Sequence, residues 1–135
     1  MDRWVLALSA LSVPFTLTHS FEDFSEGIER TRFGLELLPA AFLLSLIYAA
    51  QIAAAALAAR RQTSGYWLNL LLALGWLIAA AADHLTEVLF IPTEIYRAGV
   101  ISKSLEVGIM VVALAWAVAS ARFIRAHRHG NRAVQ

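Results

Sequence analysis

Four long apolar runs, separated by short polar segments, dominate the chain. They cover Trp4–Phe21, Leu37–Ala59, Tyr66–Ala82 and Val107–Ala121. A helix needs about 20 residues, each rising 1.5 Å, to cross the roughly 30 Å hydrocarbon core of a bilayer. Two runs reach that length unaided. The third does so by continuing through Asp83 and His84, and the fourth by extending back through Glu106 and Lys103.

This pattern predicts an all-α integral membrane protein, a bundle of four transmembrane helices in a single domain, 1–135. The helices are expected at about 3–25, 35–60, 65–91 and 98–124, followed by a basic C-terminal tail, 125–135. The first run could also be a secretory signal peptide, since Arg3 precedes it, but Pro14 within the run favours a membrane helix.

Composition agrees with the membrane class and narrows the chemistry. Hydrophobic residues make up 59% of the chain and charged residues 16%, far from the balance of a soluble domain. There is no cysteine, which excludes disulfides, thiol redox chemistry and thiolate metal sites. No glycine-rich phosphate loop, nucleophile elbow or nucleic-acid motif is present, so no nucleic-acid partner is expected.

The charges predict an orientation. With four spans, both termini share one side with the link between the second and third helices. That side carries Arg3, Arg60, Arg61, Arg122, Arg125, Arg128 and Arg132, and the opposite side carries Arg30, Arg32, Arg97 and Lys103. The positive-inside rule then places both termini in the cytoplasm, and the expected location is a bacterial inner membrane. Of the acids, only Asp2 falls on the cytoplasmic side.

Ionisable residues on three predicted helices fall at one depth, about 22–32 Å from the cytoplasmic ends by helical rise. Within each helix they occupy one face, within about 100° of arc. Ionisable groups inside a span are costly and indicate function. The candidate catalytic residues are His19, Glu22, Asp23, Asp83, His84, Glu87, Lys103 and Glu106. By contrast, Glu26, Glu29 and Glu94 are expected to reach the headgroups.

A repeat reinforces this interpretation. The first and third helices both carry His-x-x-Glu, as His19/Glu22 and His84/Glu87, and the helix after each begins with an acid, Glu36 or Glu106. The repeat suggests two parallel helix hairpins whose polar groups meet near a shared axis, with the third helix across the bundle from the first.

The first functional hypothesis is acid–base catalysis on a lipophilic substrate that arrives through the lipid. Carboxylates and imidazoles crowded at one buried place can keep one acid protonated while another group accepts a proton. Such a site suits isomerisation, epoxide opening or protonation-initiated cyclisation of an isoprenoid, terpenoid or sterol-like molecule, and needs no cofactor. The expected roles are proton donor and acceptor (Glu22 or Asp23, with Glu106), relay (His19 and His84), orientation of a histidine (Asp83) and neutralisation of the acids (Lys103).

The second hypothesis is a divalent metal site. Two His-x-x-Glu motifs and two further acids match the ligand inventory of di-iron carboxylate bundles. The set would be His19, Glu22, Glu36, His84, Glu87 and Glu106. However, the motif order is reversed, and Glu36 falls roughly 8–14 Å too high by helix counting. A mononuclear site on the two histidines and one carboxylate, or a haem between the histidines, stays open.

The third hypothesis is a proton-coupled transporter of a small solute or cation. Against it, the cytoplasmic half of the predicted bundle carries no ionisable residue. Small residues dominate there and favour close helix packing. This half of the bundle is therefore expected to be tightly packed and free of water, with Gln51 and Asn69 as interhelical hydrogen-bond partners. The partners expected are membrane lipid and a lipophilic small molecule, with a homo-oligomer as a further alternative.

Overall fold

The predicted all-helical architecture is confirmed in the computed structural model, which describes residues 2–27, 30, 34–92 and 99–132. Four long helices occur in these ranges: α1 (Asp2–Glu26), α2 (Leu37–Ala59), α3 (Thr63–Phe90) and α4 (Gly99–Arg132). Each contains a segment long and apolar enough to cross a membrane, with 24, 23, 28 and 27 residues respectively. The fourth helix continues to Arg132, into the basic segment 125–135.

The four helices form a ring in which sequence neighbours are spatial neighbours. α1 packs against α2 and α4, and α3 packs against the same two helices. Among the described residues, α2 and α4 do not meet, whereas α1 and α3 touch over a short stretch. The helices α1 and α3 therefore face each other across the bundle. His19 and His84, the histidines of the two predicted His-x-x-Glu motifs, are in contact between these helices.

The turn between α2 and α3 is short and tightly held. Arg61 adopts a left-handed φ of 58°, and its backbone N–H donates to the Ala58 carbonyl at 2.8 Å, while the Gln62 N–H donates to Leu57 at 3.0 Å. These bonds satisfy the last carbonyls of α2. At the start of α3, Gly65 lies directly against the backbone of Leu57 and Ala58, with no room for a Cβ atom. A glycine is therefore required where the two helices leave the turn.

We call the end of the bundle where α1 begins and α4 finishes the terminal end. Its core combines small residues with three aromatic rings. Tyr66 stacks on Phe123, with ring centroids 3.6 Å apart, and donates its hydroxyl to the Ala58 carbonyl at 3.1 Å. Trp116 is fully buried and donates its indole N–H to Asn69 Oδ1 at 3.0 Å. The predicted interhelical role of Asn69 is confirmed, because this bond joins α3 to α4.

Candidate functional site

Three helices bring two histidines and a glutamate together inside the bundle. The Nε2 atoms of His19 (α1) and His84 (α3) lie 3.1 Å apart, with the rings edge to face at a centroid distance of 4.8 Å. Nδ1 of His84 lies 3.2 Å from Oε1 of Glu106 (α4). We call these three residues the His–Glu cluster; one ligand atom from each lies within 4.8 Å of the other two.

Burial separates this cluster from the other predicted site residues. His19 is 8% exposed, His84 5% and Glu106 1%. A carboxyl group is almost never buried to this extent without a partner that compensates its desolvation. Ser102, one turn from Glu106 on α4, lies with its Oγ 3.5 Å from Oε1 of Glu106. The cluster thus occupies the place where the diagonal helices α1 and α3 approach each other.

Three further acids surround the cluster on the side away from the terminal end. Glu22 Oε2 lies 3.5 Å from Nδ1 of His19, and Asp23 Oδ2 lies 3.5 Å from its Nε2. On α3, Glu87 Oε2 lies 3.8 Å from Nδ1 of His84. The side chains of Glu22, Asp23 and Glu87 are 15%, 25% and 47% exposed. The spacing of three and four residues places each acid beside its histidine.

The protons of the two rings do not satisfy all of these contacts. A neutral imidazole has one N–H, and the other ring nitrogen is an acceptor. One ring must donate across the Nε2–Nε2 contact, so its Nδ1 presents a lone pair to a carboxylate oxygen. For His19 that oxygen belongs to Glu22, and for His84 it belongs to Glu106. The site therefore requires one more positive species, either a proton or a metal cation.

Unpartnered atoms in the cluster and on the adjacent Glu22 agree with this count. Nδ1 of His19, Nδ1 of His84 and Oε2 of Glu22 are buried, and none has a hydrogen bond among the described residues. Their contacts with neighbouring groups have ion-pair distances but not hydrogen-bond geometry. Buried polar atoms are rarely left in this state. They are ligand atoms of the kind that a bound cation satisfies.

The remaining predicted residues lie at the margin of the cluster or away from it. Glu36 is 71% exposed on its side chain and pairs with Arg30, with Nε and Oε1 3.6 Å apart. Lys103 donates from Nζ to the Ile91 carbonyl at 2.8 Å, next to the end of α3. Asp83, half-buried, precedes His84 on a neighbouring face of the same helix. The structure thus does not bring Glu36 to the histidines.

Polar residues that the sequence hypotheses did not include lie between the cluster and the terminal end. On α1, Ser9, Ser12 and Thr16 are all buried, and Thr16 Oγ1 lies 2.8 Å from the hydroxyl oxygen of Tyr48 on α2. The spacing of three or four residues that continues to His19 is the sequence signal that could have found them. It places one polar stripe on the inner face of α1.

A groove of about 480 Å³ opens on the outer surface between α1 and α4. It is lined by Phe15, Val100, Lys103, Ser104, Val107, Gly108, Val111 and Val112. None of the three residues of the His–Glu cluster lines it. At about 100° per residue, Val111 lies roughly 140° around α4 from Glu106. The groove therefore faces the surroundings of the bundle, on the far side of α4 from the cluster.

The arrangement can hold a cation or pass protons between carboxylates through two imidazoles. Comparison with known proteins finds no matching family, no similar curated protein and no similar solved structure.

Proposed function

We propose that this chain is an integral membrane protein that binds one divalent transition-metal ion at His19, His84 and Glu106. The observation that carries the proposal is the buried His–Glu cluster, in which the ring protons leave a lone pair facing a carboxylate. A bound cation resolves that conflict. The positive charge of the cation would also be balanced by the negative charge of the acids around the cluster.

The membrane location is supported by the outer surface of the helices. Large apolar side chains are exposed along their length, for example Leu38 at 81%, Ile52 at 72% and Phe90 at 77%. Water opposes so extensive an apolar surface, whereas lipid accommodates it. We place both termini in the cytoplasm of a bacterium by the arginine distribution. The His–Glu cluster then lies in the outer part of the inner membrane.

The donor set suits a transition metal. Imidazole nitrogen and carboxylate oxygen bind zinc, iron, manganese or nickel, and no soft thiolate ligand is available. Metal–nitrogen distances of about 2.0–2.1 Å place two ligand nitrogens roughly 3 Å apart. The Nε2 atoms of His19 and His84 are already 3.1 Å apart. Glu106 faces the other ring nitrogen of His84, Nδ1, so sharing one ion among all three residues needs a turn of that ring and a contraction of about 1.5 Å from the present spread of 4.8 Å.

A single ion is favoured over two. The dinuclear ligand set requires Glu36, but that side chain is exposed and pairs with Arg30. Glu22, Asp23 and Glu87 instead lie around the two histidines, where carboxylates fix ring orientation and tautomer in metal sites. When bound, a dication would act as a Lewis acid on an oxygen-bearing substrate or on water. We propose a lipophilic substrate, because the site lies among membrane-spanning segments.

The second candidate is acid–base chemistry without metal, on an isoprenoid, terpenoid or sterol-like molecule. It is favoured by one observation, the line of contacts from Glu106 through His84 and His19 to Glu22. In that case the missing positive species is a proton, shared along the line. Glu106 and Glu22 would then exchange protons with the substrate and with the outer surface.

Metal analysis separates the two candidates. The full chain is purified in detergent without chelators and its iron, manganese, zinc, nickel and copper are quantified against protein. We expect about one equivalent of a single metal in the wild type and in Glu36→Gln, a matched acid outside the cluster. His84→Gln should lose it. Less than stoichiometric metal in all three proteins, after growth and reloading in each metal, would overturn the metal proposal and leave the acid–base candidate.

A further inference from the structure

A second groove opens between α1 and α4, close to the terminal end of the bundle. It measures about 380 Å³ and is lined by Trp4, Leu8, Ala115, Val118, Ala119 and Arg122; we call it the terminal groove. Trp4 and Arg122 are the lining residues nearest the terminal end on their helices, and the other four are aliphatic. By helical rise, Arg122 lies about 10 Å beyond Ala115. The groove therefore has an aliphatic floor and a polar end.

The polar end of the terminal groove belongs to a basic surface. Arg122 is exposed, and so are Arg125, one turn further along α4, and Arg3, next to Trp4 on α1. In the sequence, Asp2 is the only acid assigned to this end of the bundle. The resulting positive potential favours a ligand that carries negative charge.

Arg122 and Trp4 suit the headgroup of a phospholipid. A guanidinium group binds a phosphate through two parallel hydrogen bonds. Tryptophan is enriched at the level of the headgroups, and Trp4 is 69% exposed. Basic pockets between membrane helices on the cytoplasmic side bind anionic headgroups. An anionic phospholipid therefore matches both parts of the groove, the arginine with its phosphate and the aliphatic floor with an acyl chain.

Two other hollows on the surface do not offer this combination. The hollow between α1 and α2, about 150 Å³ in volume, is lined by Val13, Leu17, Tyr48, Gln51 and Ile52, none of which is charged. The larger groove between α1 and α4 includes Lys103, but its ammonium group already donates to the Ile91 carbonyl. The terminal groove thus combines an aliphatic floor with an exposed cation.

A second copy of the chain fits the terminal groove less well. Copies inserted in one membrane share their orientation, so a symmetric contact through this groove brings equal levels of the two bundles side by side. Arg122 of each copy would then approach the basic end of the other, and facing like charges oppose association. An anionic lipid carries the opposite charge.

We propose that the terminal groove binds one anionic phospholipid, with its phosphate at Arg122 and an acyl chain along Leu8, Ala115 and Val118. The lipid comes from the leaflet at the terminal end, which is the cytoplasmic one in the orientation proposed above. Along α4, Arg122 lies about 24 Å from Glu106 by helical rise. The lipid site is therefore separate from the His–Glu cluster and does not require the metal.

Native mass spectrometry of the full chain in detergent tests the site. Dioleoyl phosphatidylglycerol and dioleoyl phosphatidylcholine, which share their acyl chains, are titrated separately. We expect one phosphatidylglycerol to bind more tightly than phosphatidylcholine, and Arg122→Gln to weaken phosphatidylglycerol about fivefold, as for the loss of one basic residue at an anionic lipid. Arg60→Gln is the charge-matched control and should leave the affinity unchanged. Arg60 is exposed at the same end, but it follows α2, which does not touch α4 within the described ranges.

A second variant tests the aliphatic floor without changing any charge. Ala115 is exposed and lines the groove, so Ala115→Phe should fill the floor and weaken both lipids. Ala53→Phe is its control, because Ala53 is an exposed alanine of α2 that does not line the groove. Elution and thermal unfolding in detergent show that each variant is folded. Ala115→Phe keeps the test valid if Arg122→Gln does not fold.

The possible results decide for or against the lipid site. Equal affinity of the wild type for both lipids overturns it, as does unchanged phosphatidylglycerol binding in a folded Arg122→Gln. Inorganic phosphate that binds lipid-free protein through Arg122 and displaces the lipid would show a site for free anions instead. A dimer that Ala115→Phe dissociates would assign the groove to a second copy. Metal content is measured on the same samples: lipid selectivity without metal would refute only the metal proposal, and metal without lipid selectivity only the lipid site.

Discussion

Nε2 of His19 and Nε2 of His84 lie 3.1 Å apart, although the residues are 65 positions apart in the chain. They belong to α1 and α3, the helices that face each other across the bundle. Each histidine carries a glutamate three residues later, Glu22 or Glu87, on its own helix. The two motifs therefore meet near the centre, and Glu106 of α4 closes the group from a third side.

Thermal unfolding should show that His84 and Glu106 are energetically coupled. His84→Leu leaves the Glu106 carboxyl group buried without its ring partner, at a cost of about 1–3 kcal/mol for a buried polar group that loses its partner. Adding Glu106→Gln removes the acid that had lost its partner, so the double variant should be more stable than His84→Leu alone. The measurement is a double-mutant cycle on metal-free protein in detergent. Additive losses would show that the two side chains do not interact.

The turn between α2 and α3 should be intolerant of even one methyl group. Gly65→Ala places a Cβ against the backbone of Leu57 and Ala58, so the helices must separate and the unfolding temperature should fall. Gly75→Ala is the matched control in α3, because a Cβ there meets nothing within 4 Å. It should be neutral or stabilising by about 0.5–1 kcal/mol, since alanine is the better helix former. Equal losses in both variants would contradict the tight packing at Gly65.

The helices could be predicted because each apolar run, extended where necessary through its ionisable residues, is about as long as a bilayer is thick. Counting along a helix also fixes depth and face, which is why His19, His84 and Glu106 could be expected at one level. Counting does not fix where a long, exposed side chain goes. Glu36 pairs with Arg30 near its own helix start, and Lys103 reaches the Ile91 carbonyl at the end of α3.

The polar stripe of α1 was harder to interpret from the sequence. Serine and threonine are common in membrane helices, where they bond their own backbone or pack between helices. Ser12 and Thr16 do bond their own helix. Only the position of α2 in space shows that Gln51 and Tyr48 join them. The sequence does not contain that information, because the pairing depends on helix rotation and tilt.

Single cysteines should report opposite sides of the membrane. The chain contains no cysteine, so Gln62→Cys in the α2–α3 turn and Ser25→Cys near the end of α1 each add one unique thiol. If both termini are cytoplasmic, an impermeant maleimide should label Ser25→Cys in intact spheroplasts and Gln62→Cys only after lysis. The reverse pattern would invert the orientation. Labelling of both in intact spheroplasts, with an internal cytoplasmic control unlabelled, would contradict a spanning bundle.

Two glutamates approach the same atom of His84 and should contribute very differently to metal affinity. Glu106 lies 3.2 Å and Glu87 3.8 Å from Nδ1, but their side chains are 1% and 47% exposed. Water can replace the Glu87 carboxylate, whereas nothing replaces that of Glu106 in the buried cluster. Loss of a carboxylate that only orients a metal ligand costs about 10–100-fold in metal affinity, and we expect Glu106→Gln, which removes a proposed ligand, to reach or exceed the upper value. Glu87→Gln should stay near the lower one.

Competition with a chromophoric chelator measures both dissociation constants on the same preparation. A larger loss for Glu87→Gln would place the ion near the exposed acids and outside the His–Glu cluster. A loss confined to Glu106→Gln places it in the His–Glu cluster, where the buried Glu106 carboxylate faces the unpartnered Nδ1 of His84. The difference between the two variants thus locates the ion by burial alone, independently of which metal the protein carries.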